Sequence, residues 1–409
     1  MLCYIIHGTG KYMALGSEDD GLNNSLSWSW ETKVTRMMQR STNFIKTLTS
    51  PSPHTPPLPT LPFDLVAEIL CRLPVKLLLQ LRCLCKSFDS LISDPKFAKK
   101  HLCMSTPHYN LMVSSTNNLR QFLLFVSPIL SVFSTNSVTQ RQLSYPNSLL
   151  KEYGAPLDVC SCDGIICFTI NDSSALLWNP SINKFNMLPP LEITQKRRPF
   201  SKYSFGYDPF TNDYKVFVVS FCINKNKVSV HTLGTSYWRR IEDFPCCSSV
   251  CGSGIFIGGT INWLTFDNLK YVIVSLDLKS GSYQKLLQPD DSVKNLKTLG
   301  VLRDYLCIFA SSEMCLDIWI MKEYGKKESW TKFYSVPYME NWGLYAYTKA
   351  LYNSDEDQVL MDLHELGSIE LKLGVYDFKN GISKIFEIQN SNYLMNPKVY
   401  IESLISPCF

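Results

Sequence analysis

The sequence is short of charge, of long apolar runs and, over most of its length, of alanine. Charged residues make up 19% of the chain, below the roughly 25% of ordinary soluble domains. That argues against a disordered chain and against a highly charged nucleic-acid binder. No run approaches the roughly 20 apolar residues that would span a bilayer. The apolar stretch at residues 2–6 is too short for the core of a signal peptide. Zinc-type spacing is also missing. Cys160, Cys162 and Cys167 are separated by one and four residues with no fourth ligand nearby, and Cys246, Cys247 and Cys251 fail the same test. The fifteen cysteines, many inside apolar runs, read as packed free thiols of a reducing compartment. Gly8-Thr9-Gly10-Lys11 lacks the first glycine and the following Ser/Thr of a phosphate loop. His231 has no nucleophile in its pattern and reads as a strand residue. No cofactor and no metal are expected.

What charge there is lies unevenly. The net charge is +4. Residues 61–102 hold seven Lys/Arg and four Asp/Glu, whereas residues 103–409 hold 28 of each. A neutral bulk offers no basic face, so neither nucleic acid nor a membrane is an expected partner. Lys196-Arg197-Arg198 fits a solvated loop better than a nuclear address. Residues 1–57, with Gly16-Ser17-Glu18-Asp19-Asp20 and a Pro-rich tract from Pro51 onward, are expected to form a disordered extension and linker. Met37 and Met38 sit just ahead of the first patterned segment. Translation is expected to start there, with residues 1–36 an extension of the gene model or a disordered tail.

Residues 58–102 read as a helical module. On a helical wheel, Leu61, Pro62, Leu65, Val66, Ile69 and Leu70 cover an arc of about 180°, where one core-facing helix needs about 100°. The excess predicts a helix that faces both its own core and something else. The break at Leu73-Pro74 suits the opening of a second helix. Leu77, Leu78, Leu81, Leu84 and Phe88 form a narrow stripe expected to be the module's core. From residue 103 to 409 only five alanines occur in 307 residues, and aromatic and β-branched residues dominate, as in strands. Turn signals such as Asn179-Pro180, Asp208-Pro209 and Asn380-Gly381 separate short strands, which fits a sandwich, a barrel or a propeller. A repeat decides among them. Five segments carry a strand, a polar turn and a second strand centred on Phe185, Trp238, Tyr283, Trp330 and Ile385, with a fainter copy ending near Tyr145. All-β repeats of about 40–50 residues are propeller blades. About six blades are expected, five or seven also fitting the spacing. The strand-like tail at 396–409 is expected to close the ring by joining the first blade near residues 119–147.

The helical segment resembles the F-box, a module that docks on the Skp-type adaptor of cullin-RING ubiquitin ligases. The resemblance rests on Leu61-Pro62, Leu65, Glu68-Ile69-Leu70, Arg72-Leu73-Pro74-Val75, Arg82-Cys83, Cys85-Lys86-Ser87 and Ile92-Ser93-Asp94-Pro95. Phe88 departs from the tryptophan usual in that family. The remainder resembles the F-box-associated region of plant F-box proteins, often called F-box/kelch-repeat. It matches at Cys162-Asp163-Gly164 with Cys167, Trp178-Asn179-Pro180-Ser181, Phe205-Gly206-Tyr207-Asp208-Pro209, Asn212-Asp213-Tyr214-Lys215-Val216, Gly259 with Ile261-Asn262-Trp263-Leu264, Ser275-Leu276-Asp277, Asp317-Ile318-Trp319 and Glu328-Ser329-Trp330. The kelch double glycine is not clearly present, Gly258-Gly259 being the single pair. These residues read as fold residues rather than a site.

The resemblance implies an α+β multidomain chain: an F-box module at 58–102, then an all-β propeller at 103–409. It implies a non-catalytic substrate receptor of an SCF-type (Skp–cullin–F-box) ubiquitin ligase. Leu61, Pro62, Leu65, Ile69, Leu73, Pro74 and Val75 would meet the adaptor, and through it the cullin-RING ligase. Propeller loops would hold an unidentified target protein, in cytoplasm, nucleus or both. An adaptor-bound scaffold without degradation is the alternative. A propeller enzyme is a further one, and it needs a nucleophile–base, carboxylate or metal constellation that the sequence does not display.

Overall fold

The computed structural model describes residues 62–408 except 117–121, 135–137, 139, 144–157, 193–200, 222–224, 268–269, 290–296, 313–314, 339–344, 355, 366–370 and 387–392. The expectations for residues 1–57, for Leu61 and for the repeat ending near Tyr145 lie outside the described residues. Among the described residues, four short helices precede the strands: α1 (Phe63–Leu70), α2 (Val75–Arg82), α3 (Lys86–Ser93) and α4 (Pro95–Met104). Pro74 stands at the N-cap of α2 with φ −59°, where its missing N–H costs nothing. Asp94 caps α4, accepting from the Lys96 amide at 2.7 Å, with Pro95 in the first turn. One further helix, α5 (Ile129–Ser134), follows the second strand.

Among the described residues, twenty-four strands form six four-stranded antiparallel sheets. Blade 2 comprises β4 (Asp158–Cys162), β5 (Ile165–Asn171), β6 (Ser174–Asn179) and β7 (Lys184–Met187). Blade 3 comprises β8 (Ser201–Asp208), β9 (Asp213–Ser220), β10 (Lys227–Thr232) and β11 (Arg239–Arg240). Blade 4 runs β12 (Ile255–Ile257), β13 (Thr260–Asp267), β14 (Lys270–Asp277) and β15 (Tyr283–Leu286). Blade 5 runs β16 (Lys297–Leu302), β17 (Tyr305–Ser311), β18 (Cys315–Met321) and β19 (Trp330–Pro337). Blade 6 runs β20 (Tyr345–Asn353), β21 (Gln358–Glu365), β22 (Leu371–Asp377) and β23 (Ile382–Phe386). Blade 1 is composite. The last strand, β24 (Tyr393–Ile401), precedes β1 (Tyr109–Thr116), β2 (Phe122–Pro128) and β3 (Arg141–Gln142) in its sheet. The strands β24, β4, β8, β12, β16 and β20 touch one another in cyclic order, so they form the innermost ring around the axis. The fold is the expected six-bladed propeller.

A blade exposes apolar side chains on both faces, and its neighbours cover them. Trp178 and Phe168 fill the seam between blades 1 and 2, with Tyr400 of the tail. Trp263, Phe217 and Phe244 fill the seam between blades 3 and 4. The recurring large residues have a second use. Trp238 donates its indole N–H to the Pro189 carbonyl at 2.7 Å, Tyr283 its hydroxyl to the Glu242 carbonyl at 3.3 Å, and Trp330 its indole N–H to the Leu287 carbonyl at 2.9 Å. In each case the acceptor lies just past the outer strand of the preceding blade. At these three of the five repeat markers the side chain is therefore a clamp between consecutive blades, a bond that Phe185 and Ile385 have no donor to make.

Closure of the ring uses the tail, as expected, but in a different place. β24 pairs along β1 from Tyr109↔Ile401 to Thr116↔Tyr393, upstream of residues 119–147. Beyond β24 the chain crosses onto blade 2. The buried Asn179 side chain donates to the Ser403 carbonyl at 3.1 Å, the Ser403 hydroxyl at 3.1 Å and the Ile405 carbonyl at 2.8 Å. Ser403 donates to the Asp163 carbonyl at 2.6 Å. Gly164 has φ +82°, and a Cβ there would sit 2.3 Å from Ser403 Oγ and 2.7 Å from the Ile401 carbonyl. The Cys162-Asp163-Gly164 and Trp178-Asn179-Pro180-Ser181 motifs are thus the seat of the C-terminal tail.

Candidate functional site

The helical module has an inward and an outward side. Val66, Leu70, Cys71, Leu73, Val75, Leu78, Leu81, Ile92, Phe97 and Ala98 are buried. The outward side of α1 is apolar all the same. Pro62 is exposed, Leu65 is 50% exposed and Ile69 is half-buried. Each such side chain left in water forgoes about 25 cal/mol per Å² of apolar burial. Pro74 is half-buried at the turn. Leu73 and Val75 are not on this surface: both side chains lie in the module's own core and act by shaping the turn. The narrow stripe expected as core divides too. Leu78 and Leu81 are buried, whereas Leu77, Leu84 and Phe88 are half-buried.

The turn is held from behind by a residue that sequence reading passed over. His101, in the last turn of α4, is buried, and its Nε2 lies 2.8 Å from the Leu73 carbonyl. The carbonyl can only accept, so this nitrogen carries the proton. Burial pushes the imidazole below its ordinary value, more than the Leu73 bond raises it, which keeps the ring neutral. On the surface, Glu68 pairs with Lys100 and Arg72. The Lys100 hydrogen bond holds the Glu68 carboxyl below the usual range. Exposed pairs of this kind add little stability, but they join α1 to α4.

One side chain of α4 joins the module to the propeller. The Lys99 ammonium donates to the Asn212 carbonyl at 3.2 Å and to Asn212 Oδ1 at 2.9 Å, and sits 5.4 Å from the centre of the Tyr207 ring. Tyr207 also donates to Asn212 Oδ1. Behind it, Tyr214 lies 5.1 Å from Tyr207 and donates to Asp163 Oδ2 at 2.8 Å. Asn212 has φ +59° in the β8–β9 turn, a conformation asparagine tolerates. The helices therefore rest on the propeller face that carries the turns between first and second strands of blades 2 and 3.

Residues 110–400 match the family described as F-box associated beta propeller domain, and residues 58–100 match the F-box domain. The chain belongs to the F-box-associated β-propeller family. Two Arabidopsis thaliana relatives match almost end to end. The F-box/kelch-repeat protein At3g23880 is 30% identical over 87% of this chain and 97% of its own length. F-box protein CPR1 is 26% identical over 85% and 89%. The outward row Pro62, Leu65 and Ile69 thus belongs to the F-box of this F-box-associated propeller protein. Among the described residues, no group of three His, Cys, Asp or Glu side chains is placed to hold a metal ion. Cys160 and Cys167 face each other across β4 and β5 as buried thiols, with Cys162 half-buried. The hydrogen bond with Cys160 first, and burial second, push the Cys167 thiol well up, which disfavours the reactive thiolate. His231 is a buried strand residue whose Nδ1 lies 3.1 Å from the Tyr237 carbonyl.

Proposed function

We propose that the chain is the substrate-recognition subunit of an SCF-type ubiquitin ligase. Its F-box docks on a Skp-type adaptor and its propeller holds a target protein in the cytoplasm or nucleus. The observation that carries this reading is the outward apolar row of Pro62, Leu65 and Ile69 on an F-box fixed to a complete propeller. Such a protein performs no bond chemistry. It raises the local concentration of a target beside a ubiquitin-charged enzyme, and proximity supplies the rate. The same row supports an adaptor-bound scaffold equally well, and target turnover separates the two.

The test is co-purification of the full chain with adaptor and cullin. Replacing Pro62 and Leu65 together by Ala is expected to weaken adaptor binding by about 2 kcal/mol or more, as at interface hot spots. Both side chains are exposed, so the fold should survive. Unchanged pull-down by the double variant would refute the docking face. A bound partner that accumulates on proteasome inhibition identifies a degraded target, and one whose level does not change favours the scaffold.

A further inference from the structure

The six innermost strands carry an uneven set of charges. Lys398 lies on β24, Lys202 on β8, Lys297 on β16 and Lys349 on β20, against Asp158 on β4 and Asp208 on β8. Asp208 is fully buried at the far end of its strand and is paired with Lys215. Four lysines and one remaining carboxylate therefore border the axis in a propeller domain that is neutral as a whole. The partners are unequally shared. Lys202 lies 3.5 Å from Asp158, and Lys349 lies 3.7 Å from Asp362 on the second strand of blade 6. Asp158 also accepts from the Ser253 hydroxyl at 2.9 Å, and Asp362 from the Lys349 amide at 2.9 Å. Lys297 donates to Gln288 Oε1 at 3.4 Å. Lys398 is half-buried, and among the described residues it has no hydrogen-bond acceptor and no ion pair.

Lys398 is the anomaly. A half-buried ammonium normally has a partner, because losing water without one is costly. The charged groups near it are Lys349, Asp158 and Asp362, and each carboxylate is already engaged by another lysine. Burial first, and Lys349 second, push its pKa below the ordinary lysine value. Lys202, Lys349 and the Asp158 side chain keep about a quarter to a third of their area accessible, so these charged groups are in contact with solvent.

We propose that the axial channel of the propeller binds an oxyanion, a carboxylate or a phosphate group, on Lys398 with Lys349 and Lys202 flanking it. The anion supplies an acceptor for Lys398 and offsets the repulsion between Lys398 and Lys349. The site is independent of the adaptor face and stands whether or not the chain serves a ligase. The oxyanion arrives either as a free solute or on an acidic side chain of a bound protein.

The test is thermal melting of the full chain in inorganic phosphate, in acetate and in a short aspartate-rich peptide, each against sodium chloride of equal ionic strength, since bulk screening acts alike in all. At least one probe is expected to raise the midpoint by several degrees above chloride. Response to phosphate or acetate marks a solute site, and response to the peptide alone marks a docked side chain. Lys398→Met is expected to melt no lower than the wild type in chloride, because it removes an uncompensated cation, and to lose the response. Asp158→Asn is expected to enlarge the response severalfold, because it removes a competing carboxylate. No excess over chloride in the wild type, an equal response in Lys398→Met, or a smaller response in Asp158→Asn would each overturn the proposal.

Discussion

At the scale of single residues, two side chains set conditions on the fold. His101 is neutral where it bonds the Leu73 carbonyl, and its folded-state pKa is depressed by burial. The unfolded chain therefore takes up the proton first as pH falls. The stabilisation is complete above the ordinary histidine value of about 6.5 and is lost as pH falls below it toward the folded value. Hydrogen exchange of the helical amides should show protection at pH 7 that weakens at pH 5. In His101→Gln, whose amide can still donate to Leu73, that pH dependence should vanish. Persistence of the same dependence would assign it to another group. Gly164 gives a second test. Its positive φ and the nearness of Ser403 Oγ and the Ile401 carbonyl predict that Gly164→Ala costs at least about 3 kcal/mol. Gly281 shares a positive φ but faces open space, so Gly281→Ala should cost about 1 kcal/mol. Equal midpoints for the two variants would refute the role given to the tail contact.

At the scale of elements, the tail is two devices in one segment. Removing residues 403–409 leaves β24 in place but strips the buried Asn179 amide of its three acceptors, an expected loss of about 1–3 kcal/mol. Removing 396–409 also takes most of the pairing with β1 and leaves an open edge. That form should be insoluble or rapidly cut by protease, whereas the shorter truncation should fold. Equal melting of both truncations and the full chain would make the tail an appendage. Much of this was legible in sequence. Trp238, Tyr283 and Trp330 stood out because a clamp between blades needs a large residue with a donor at the same place in each blade that uses it. The apolar pattern of the tail announced a strand, and an all-β ring needs a last strand. The wide α1 arc announced a helix with apolar residues on more than one side, and Leu65 is exposed while Val66 and Leu70 are buried. Leu73 and Val75, grouped with the outward residues from their place at the Leu73-Pro74 break, are buried, because burial at a turn depends on how the following helices pack and not on the spacing of letters. Lys99, His101 and Lys398 were silent. A lysine or histidine within a patterned segment carries no signal until the fold sets it against Asn212, Leu73 or Lys349, far along the chain.

At the scale of the whole molecule, the joint between helices and propeller decides geometry. Lys99 and Asn212 tie α4 to the β8–β9 turn of the ring, so under the proposed function a target held by loops elsewhere on the ring would stand at a set position relative to the helices. A propeller fragment of residues 103–409 should keep a target, lose the adaptor and raise the target's level when expressed beside the full protein. Pulse-chase of a labelled partner checks this, and faster turnover in the presence of the fragment would contradict a receptor role. The composite blade bears also on how such a chain is made. β1 is among the first parts of the ring to leave the ribosome, and its partner β24 lies roughly 290 residues later. At about 5–20 residues per second, β1 waits roughly 15–60 s with one edge unpaired. Blades 2 to 6 can assemble in order during synthesis, but the ring can seal only once β24 has emerged. Newborn chains thus pass through an open horseshoe, a form that chaperones must shield and that an interrupted translation leaves behind.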